Sequence, residues 1–300
     1  MSVSLQIQSV IYHNEKDSLL RAMSSLANAV RVNRDTTGEL GQVTVIYGDA
    51  SKEPVYTDAE VAELGRKFAD YFEFKYVFFN ENTGTAKGHN RLGALCNSEY
   101  IMIMNPDIVV SPRLFSGMIA PLLDQAQNVG LTEARQTPVE HPKEYDTATL
   151  ETDWASTACV IFSKKLFVEL KGFDEDTFFM YCDDVDFSWR IRLLGKKVMY
   201  RPDCPVFHAK RLSANAGWIP TKAEIYYSAE AALLMAYKWS DAKRVKVLLE
   251  RYANDGEIGE RVVARFNELK EAGKLPTQLD PTHQVAKFIN EDYSERRFSM

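Results

Sequence analysis

"YIMIMNPDIVVSP", residues 100–112, begins with a short, unbroken apolar run and then stops at Asn105-Pro106-Asp107. A run of this length without alternation reads as a strand covered on both faces, as in a parallel sheet flanked by helices. Such a strand delivers Asp107 to its carboxyl end beside a rigid proline. A carboxylate held on a stiff element suits a divalent cation that also binds phosphate oxygens. Ser111 reads as the cap of the helix that follows.

Upstream, strands and helices alternate. "SLQIQSVIY", "QVTVIYG" and "FKYVFFN" read as strands. Between them lie an amphipathic helix, "EKDSLLRAMSSLANAVRV", and a second helix, "TDAEVAELGRKFADYF", with a capping signal at Thr57 or Asp58. "AKGHNRLGALC" and "SPRLFSGMIAPLLDQAQN" read as the next two helices. This βαβα order argues for an α/β fold with a mostly parallel central sheet flanked by helices. Downstream, residues 132–153 are polar, carry Pro138 and Pro142, and read as one long loop. "ACVIFS" resumes a strand, "KKLFVELKGFDE" a short helix, and "PVFH" a short strand ending at His208. The chain then divides into a catalytic domain over 1–220 and a helical C-terminal extension over 221–300. The extension has three helices, a linker "GKLPTQLDPTHQ" and a last short helix.

Composition excludes several classes. With 300 residues, 45% hydrophobic, the chain can bury a sizeable core. A net charge of -6 argues against a nucleic-acid partner. No stretch has the apolar length of a transmembrane segment, and the N-terminus does not read as a signal peptide. The expectation is a cytoplasmic protein, peripheral at most at the inner face of the membrane. Cys96, Cys159, Cys182 and Cys204 read as reduced, buried thiols. A zinc site from Cys182, Cys204 and His208 lacks ligand spacing.

In open α/β sheets, ligands bind beyond the carboxyl ends of the strands. The residues found there are His13 after the first strand, Asp49 after the second, Asn82 and Gly84 after the third, and Asn105 and Asp107 after the fourth. His208 can complete a metal site begun by Asp107. Lys210 and Arg211, just beyond it, could meet a diphosphate. "FFMYCDDVDFSWRIRLLG", residues 178–195, adds Asp183, Asp184 and Asp186 at a helix start, more than one cap requires. Asp183 reads as the cap. Asp186 lies four before Arg190 and can pair with it. That leaves Asp184 as a base for an attacking hydroxyl, with like charges nearby to raise its pKa.

Four ordered segments carry a family resemblance: "YGDAS", "ENTGTAKGHN", "MNPDI", and "GFDEDTFFMYCDDVDFSWRIRLLG" followed by "VFHAKRLS". Over about Ser4 to Ala214 the sequence resembles a family two glycosyltransferase of the GT-A fold, with "NPD" as in members similar to rhamnosyltransferases. The resemblance implies an inverting, metal-dependent hexosyltransferase. Its donor would be a nucleotide diphosphate sugar such as dTDP-L-rhamnose, and its acceptor a saccharide or lipid-linked glycan. Asp107 and His208 would bind Mn2+ or Mg2+, Asp184 would be the catalytic base, and Asp183 replaces the usual glutamate. His13, Asp49, Asn82, Gly84, Lys87, Asn90 and Asn105 are candidate substrate contacts, and Trp154 a candidate sugar-stacking residue. Gly48 stands where the family often has an aspartate, and Thr157 where it often has a glycine. The rival readings are a nucleotidyltransferase acting on sugar phosphates and a non-catalytic nucleotide-sugar binding protein. A homodimer through the C-terminal helices is a further expectation.

Overall fold

The run at 100–104 becomes strand β4 (Tyr100–Met104), and the packing of its side chains explains its composition. Met102 and Met104 enter one apolar cluster, while Ile101 and Ile103 enter another on the opposite face. Both faces are dry, so nothing polar is tolerated between them. This computed structural model describes residues 2–208 and 220–298.

Around β4 the chain builds β1 (Val3–Ile11), α1 (Lys16–Thr36), β2 (Leu40–Asp49), α2 (Asp58–Phe68), β3 (Glu73–Phe78) and α3 (Gly84–Ala94). The start of α2 is fixed as the sequence suggests. Thr57 is the N-cap, and it exchanges hydrogen bonds with Glu60 in a capping box. After β4 come β5 (Ile108–Val110), α4 (Leu114–Leu123), β6 (Val129–Thr137), β7 (Cys159–Ser163), α5 (Lys164–Glu169), α6 (Asp183–Leu193) and β8 (Lys197–His208). Three helices close the described chain: α7 (Lys222–Lys238), α8 (Ala242–Tyr252) and α9 (Gly256–Glu271).

The eight strands lie in the order β3-β2-β1-β4-β7-β6-β8-β5. The β1–β2, β1–β4, β2–β3 and β6–β8 pairs are parallel. The β4–β7, β5–β8 and β6–β7 pairs are antiparallel, so the sheet is mixed. Strand order reverses between β1 and β4, which opens a crevice at the carboxyl ends of β1, β2 and β4.

Several expectations are corrected. Residues 132–137 are strand, not loop, because their polar side chains are satisfied inside. Thr132 Oγ1 donates to the Met118 carbonyl at 2.9 Å, and Glu133 pairs with Lys143. Only the stretch from 138 to 153 is loop. The strand ending at His208 is long, not short. Helix α4 starts at Leu114 with Arg113 at the N-cap; the Ser111 carbonyl, not its hydroxyl, takes the Leu114 N–H. Among the described residues beyond α9 there is no further helix, and Arg296 instead forms a β-bridge with Lys143.

The C-terminal helices are not a loose appendage. Leu234, Met235, Trp239, Tyr252 and Phe266 share one apolar cluster with Trp154, Phe178, Cys182 and Trp189. Lys238, itself buried, places its ammonium 2.6 Å from Asp174 and 2.7 Å from Asp186. Removing one partner of a buried charge pair leaves the others uncompensated. Lys238→Met is therefore expected to lower unfolding free energy by about 3 kcal/mol. The exposed Lys243→Met should stay within about 0.5 kcal/mol of the parent in the same urea titration.

Candidate active site

The register of β5 on β8 pairs Ile108 with His208, which puts Asp107 beside the imidazole. Asp107 Oδ1 lies 3.3 Å from His208 Nε2. On the other side of the ring, His208 Nδ1 donates to Gln136 Oε1 at 2.8 Å. That bond fixes the tautomer and turns the Nε2 lone pair toward Asp107. Asn105 Nδ2 donates to the same Nε2 at 3.4 Å. The Asp107 side chain remains 29% exposed, while His208 is buried behind it. One carboxylate oxygen and one imidazole nitrogen form a donor pair suited to a divalent cation that takes its remaining ligands from phosphate and water. Among the described residues no group of three or more His, Cys, Asp and Glu side chains forms a cage. The zinc alternative is not assembled: Cys182 contacts the Tyr293 hydroxyl at 3.1 Å, and Cys204 lies in another apolar cluster.

The aspartate segment is set by its neighbours. Tyr181 and Cys182 both have left-handed backbone, φ +69° and +56°, and turn the chain sharply into α6. Cys182, not Asp183, is the N-cap residue. The Asp183 carboxylate instead accepts the Thr85 hydroxyl at 2.9 Å, from the first turn of α3. Thr85 N–H also donates to the Phe179 carbonyl at 2.9 Å. This approach requires Gly84: a Cβ there would lie 2.1 Å from the Phe179 oxygen. Asp184 is half-buried at the helix start. Burial, then the charge of Asp183, pushes the Asp184 carboxyl up to about 7. Burial pushes Asp183 up to about 6, against the pull of the Thr85 bond.

β6 links the two halves of the site. Gln136 bonds His208, and Glu133 acts electrostatically on Asp184. They lie three positions apart on β6, with an irregularity in the β6–β8 register at Ala134/Arg135 between them.

The other candidates divide. His13 lies with Asn14, Lys16, Glu53, Pro54 and Val55 around an open cleft of about 510 Å3 at the ends of β1 and β2. Asp49 is fully buried and bonds the Ser51 and Val55 N–H groups and the Tyr76 hydroxyl, so it holds the loop after β2. Asn82 accepts the Gly84 N–H at 3.3 Å, and Lys87 pairs with Glu81. Asn90 clamps Phe173 through both its backbone groups, and it also bonds Glu175. Trp154 is not presented for stacking: it is buried, with the Lys143 ammonium 4.3 Å from its ring centroid. Lys210 and Arg211 lie outside the described residues. Sequence reading missed Gln136, Glu133, Lys143 and Thr85. The first three were hidden by reading 132–153 as loop; Thr85 carried no signal of its own.

A parallel half-sheet with a crevice, a mixed half carrying Asp107 and His208, and an acidic helix start together define a GT-A type fold. Residues 9–184, more than half of the chain, match glycosyl transferase family 2, and the chain belongs to that family. It is 26% identical over 141 residues to the rhamnosyltransferase WbbL of Escherichia coli (strain K12), covering 38% of this chain and 52% of that protein. The chain thus spans about half the length of that relative. Its fold is similar to GalNAc-T7 solved with UDP, GalNAc and Mn2+: TM-score 0.62, 12% identity, 92% of this chain and 55% of that one. It is also similar to the mannosyltransferase PcManGT from Pyrobaculum calidifontis, solved with GDP-Man and Mn2+: TM-score 0.53, 17% identity, 90% and 81%. Among the described residues no helix is long and apolar enough to cross a membrane.

The raised carboxyls have a consequence for stability. The folded state holds these protons more tightly than the unfolded chain does. Their contribution is therefore full below the unfolded value, about 4, and is lost as pH rises through about 6 to 7. Asp184→Asn is expected to be more stable than the parent at pH 8, by about 1 kcal/mol or more, with the gain vanishing near pH 4. Urea midpoints across that range check it.

Proposed function

We propose that the protein transfers a sugar from a nucleotide diphosphate donor to an acceptor hydroxyl, with inversion at the anomeric carbon. The observation that carries this reading is the half-buried Asp184, its carboxyl pushed up to about 7, on a frame that also holds the Asp107–His208 pair. The cleft beside His13 suits the nucleoside, at the strand ends where α/β sheets take such ligands. Similarity to the rhamnosyltransferase supports a deoxyhexosyl donor such as dTDP-L-rhamnose, and the Mn2+ in the solved relatives supports a divalent cation. The acceptor class consistent with this is a saccharide or lipid-linked glycan.

In this mechanism the acceptor hydroxyl gives its proton to an Asp184 oxygen as its own oxygen attacks the anomeric carbon. The bond from that carbon to the diphosphate breaks on the opposite face, so a single displacement inverts the centre. Asp107 and His208 would hold Mn2+ or Mg2+, which when bound neutralises charge developing on the departing diphosphate. Gln136 orients the imidazole for that task, and the Asn105 amide, which donates to Nε2, would give way to the cation. Thr85 holds Asp183 by a hydrogen bond, which leaves Asp184 as the proton acceptor.

Asp184→Asn is expected to reduce transfer by at least 10²- to 10⁴-fold while donor affinity stays near the parent's. Near-normal turnover by the folded variant removes Asp184 from the chemistry. Excess chelator should stop transfer and added Mn2+ or Mg2+ restore it. Asp107→Ala should cost more than His208→Ala, since it removes the charged ligand. Full activity in chelator would count against the Asp107–His208 metal assignment.

A further inference from the structure

Glu133 on β6 and Lys143 on the 138–153 loop form a buried ion pair, with side chains 3% and 5% exposed, that the proposed displacement does not use. Replacing such a pair by apolar residues is often neutral for stability, so its presence beside the site calls for another account. The segment 154–156 is a wall shared by the pair and the base. Ser156 N–H donates to Glu133 Oε1 at 2.9 Å, and Ala155 N–H donates to Ser188 Oγ at 3.0 Å. Ser188 Oγ in turn donates to the Asp184 carbonyl at 2.8 Å. Trp154 lies under the Lys143 ammonium. We propose that Lys143 is a positioning residue for Asp184: anchored by Glu133 and Trp154, its ammonium supplies the counter-charge that keeps the Asp184 carboxylate available as a proton acceptor.

The inference rests on Asp184 being the base. Asp183 beside it and Glu133 on β6 oppose its ionisation, and Lys143 favours it. The preceding Cys182 thiol is buried with Tyr293 and Arg244 near it, and Glu140 acts on Lys143 from the loop. Removal of Lys143 and removal of Glu133 should therefore move Asp184 in opposite directions.

The test is a titration of the full chain carrying ¹³C at the aspartate side-chain carboxyls, with the Asp184 resonance identified by its loss in Asp184→Asn. Lys143→Met should raise the Asp184 midpoint by roughly one pH unit. Glu133→Gln should lower it, and Lys143→Arg should leave it near the parent. A purely structural role would not give opposite signs in variants that both break the same pair. Should Lys143→Met not fold, the reciprocal reading remains. With ¹³C at lysine Cε, assigned through Lys143→Arg, the Lys143 midpoint should fall in Asp184→Asn, because coupled proton affinities are reciprocal. An unmoved Asp184 midpoint in folded Lys143→Met, or an unmoved Lys143 midpoint in Asp184→Asn, overturns the proposal. Neither titration needs a donor. Full turnover by Asp184→Asn would instead overturn the base assignment and leave the measured coupling standing.

Discussion

The Asp186 carboxylate is fully buried, and the placement of the acidic start of α6 depends on how its charge is met. Arg190 Nε donates to one oxygen at 2.8 Å. Trp239 Nε1 at 3.1 Å and Lys238 Nζ at 2.7 Å take the other. Lys238 then reaches Asp174, whose carbonyl holds the Phe178 N–H at the start of the strained turn. A carboxylate in a dry interior is tolerable only when paired and hydrogen-bonded throughout. This one meets that condition with groups from α6 and α7, so the direction of α6, and with it Asp184, is set partly by the C-terminal helices. Arg190 also donates to the Leu170 and Gly172 carbonyls, which ties the preceding loop to the same helix.

The third aspartate of the cluster thus does structural work, and the second is left with an environment that raises its proton affinity. The same segment carries both roles because helical spacing turns them apart. Asp186 meets Lys238 and Trp239 of α7, while Asp183 and Asp184 sit at the N-terminal end, where Asp183 meets Thr85 of α3. The start of α3 brings the Thr85 hydroxyl to Asp183 and its N–H to the Phe179 carbonyl. Gly84 is the condition for that contact, so the glycine of "ENTGTAKGHN" serves the start of α6 through a close backbone approach.

What could be read in the sequence was whatever follows from local rules. The unbroken run at β4, the Thr57 capping box and the Asp186–Arg190 spacing each involve neighbours within one element. The pairing of Asp107 with His208, about a hundred residues apart, was legible because Asp107 follows a buried strand and His208 ends another. Polar residues inside β6 were not legible: Thr132, Glu133 and Gln136 look like loop until their partners on α4, the 138–153 loop and β8 are known. For the same reason Asn90 and Trp154 were given substrate roles. Their residue types suit a ligand, and only the tertiary contacts show the amide spent on Phe173 and the indole covered by Lys143.

β6 is where these separate constraints meet. It lies between β7, antiparallel to it, and β8, parallel to it. Its side chains must therefore serve a sheet interior and two functional groups at once. Gln136 holds the His208 imidazole, and Glu133 holds the Lys143 ammonium. The cost is the burial of Thr132, Glu133 and Gln136, each requiring a partner. Every partner comes from a different element, so the site can form only once α4, β8 and the 138–153 loop are docked. Backbone and side-chain contacts from the C-terminal arm hold that loop: Arg297 N–H donates to the Pro142 carbonyl at 2.7 Å, and its guanidinium pairs with Glu140. The far end of the chain therefore reaches the loop that carries Lys143 along a second route, independent of Asp186.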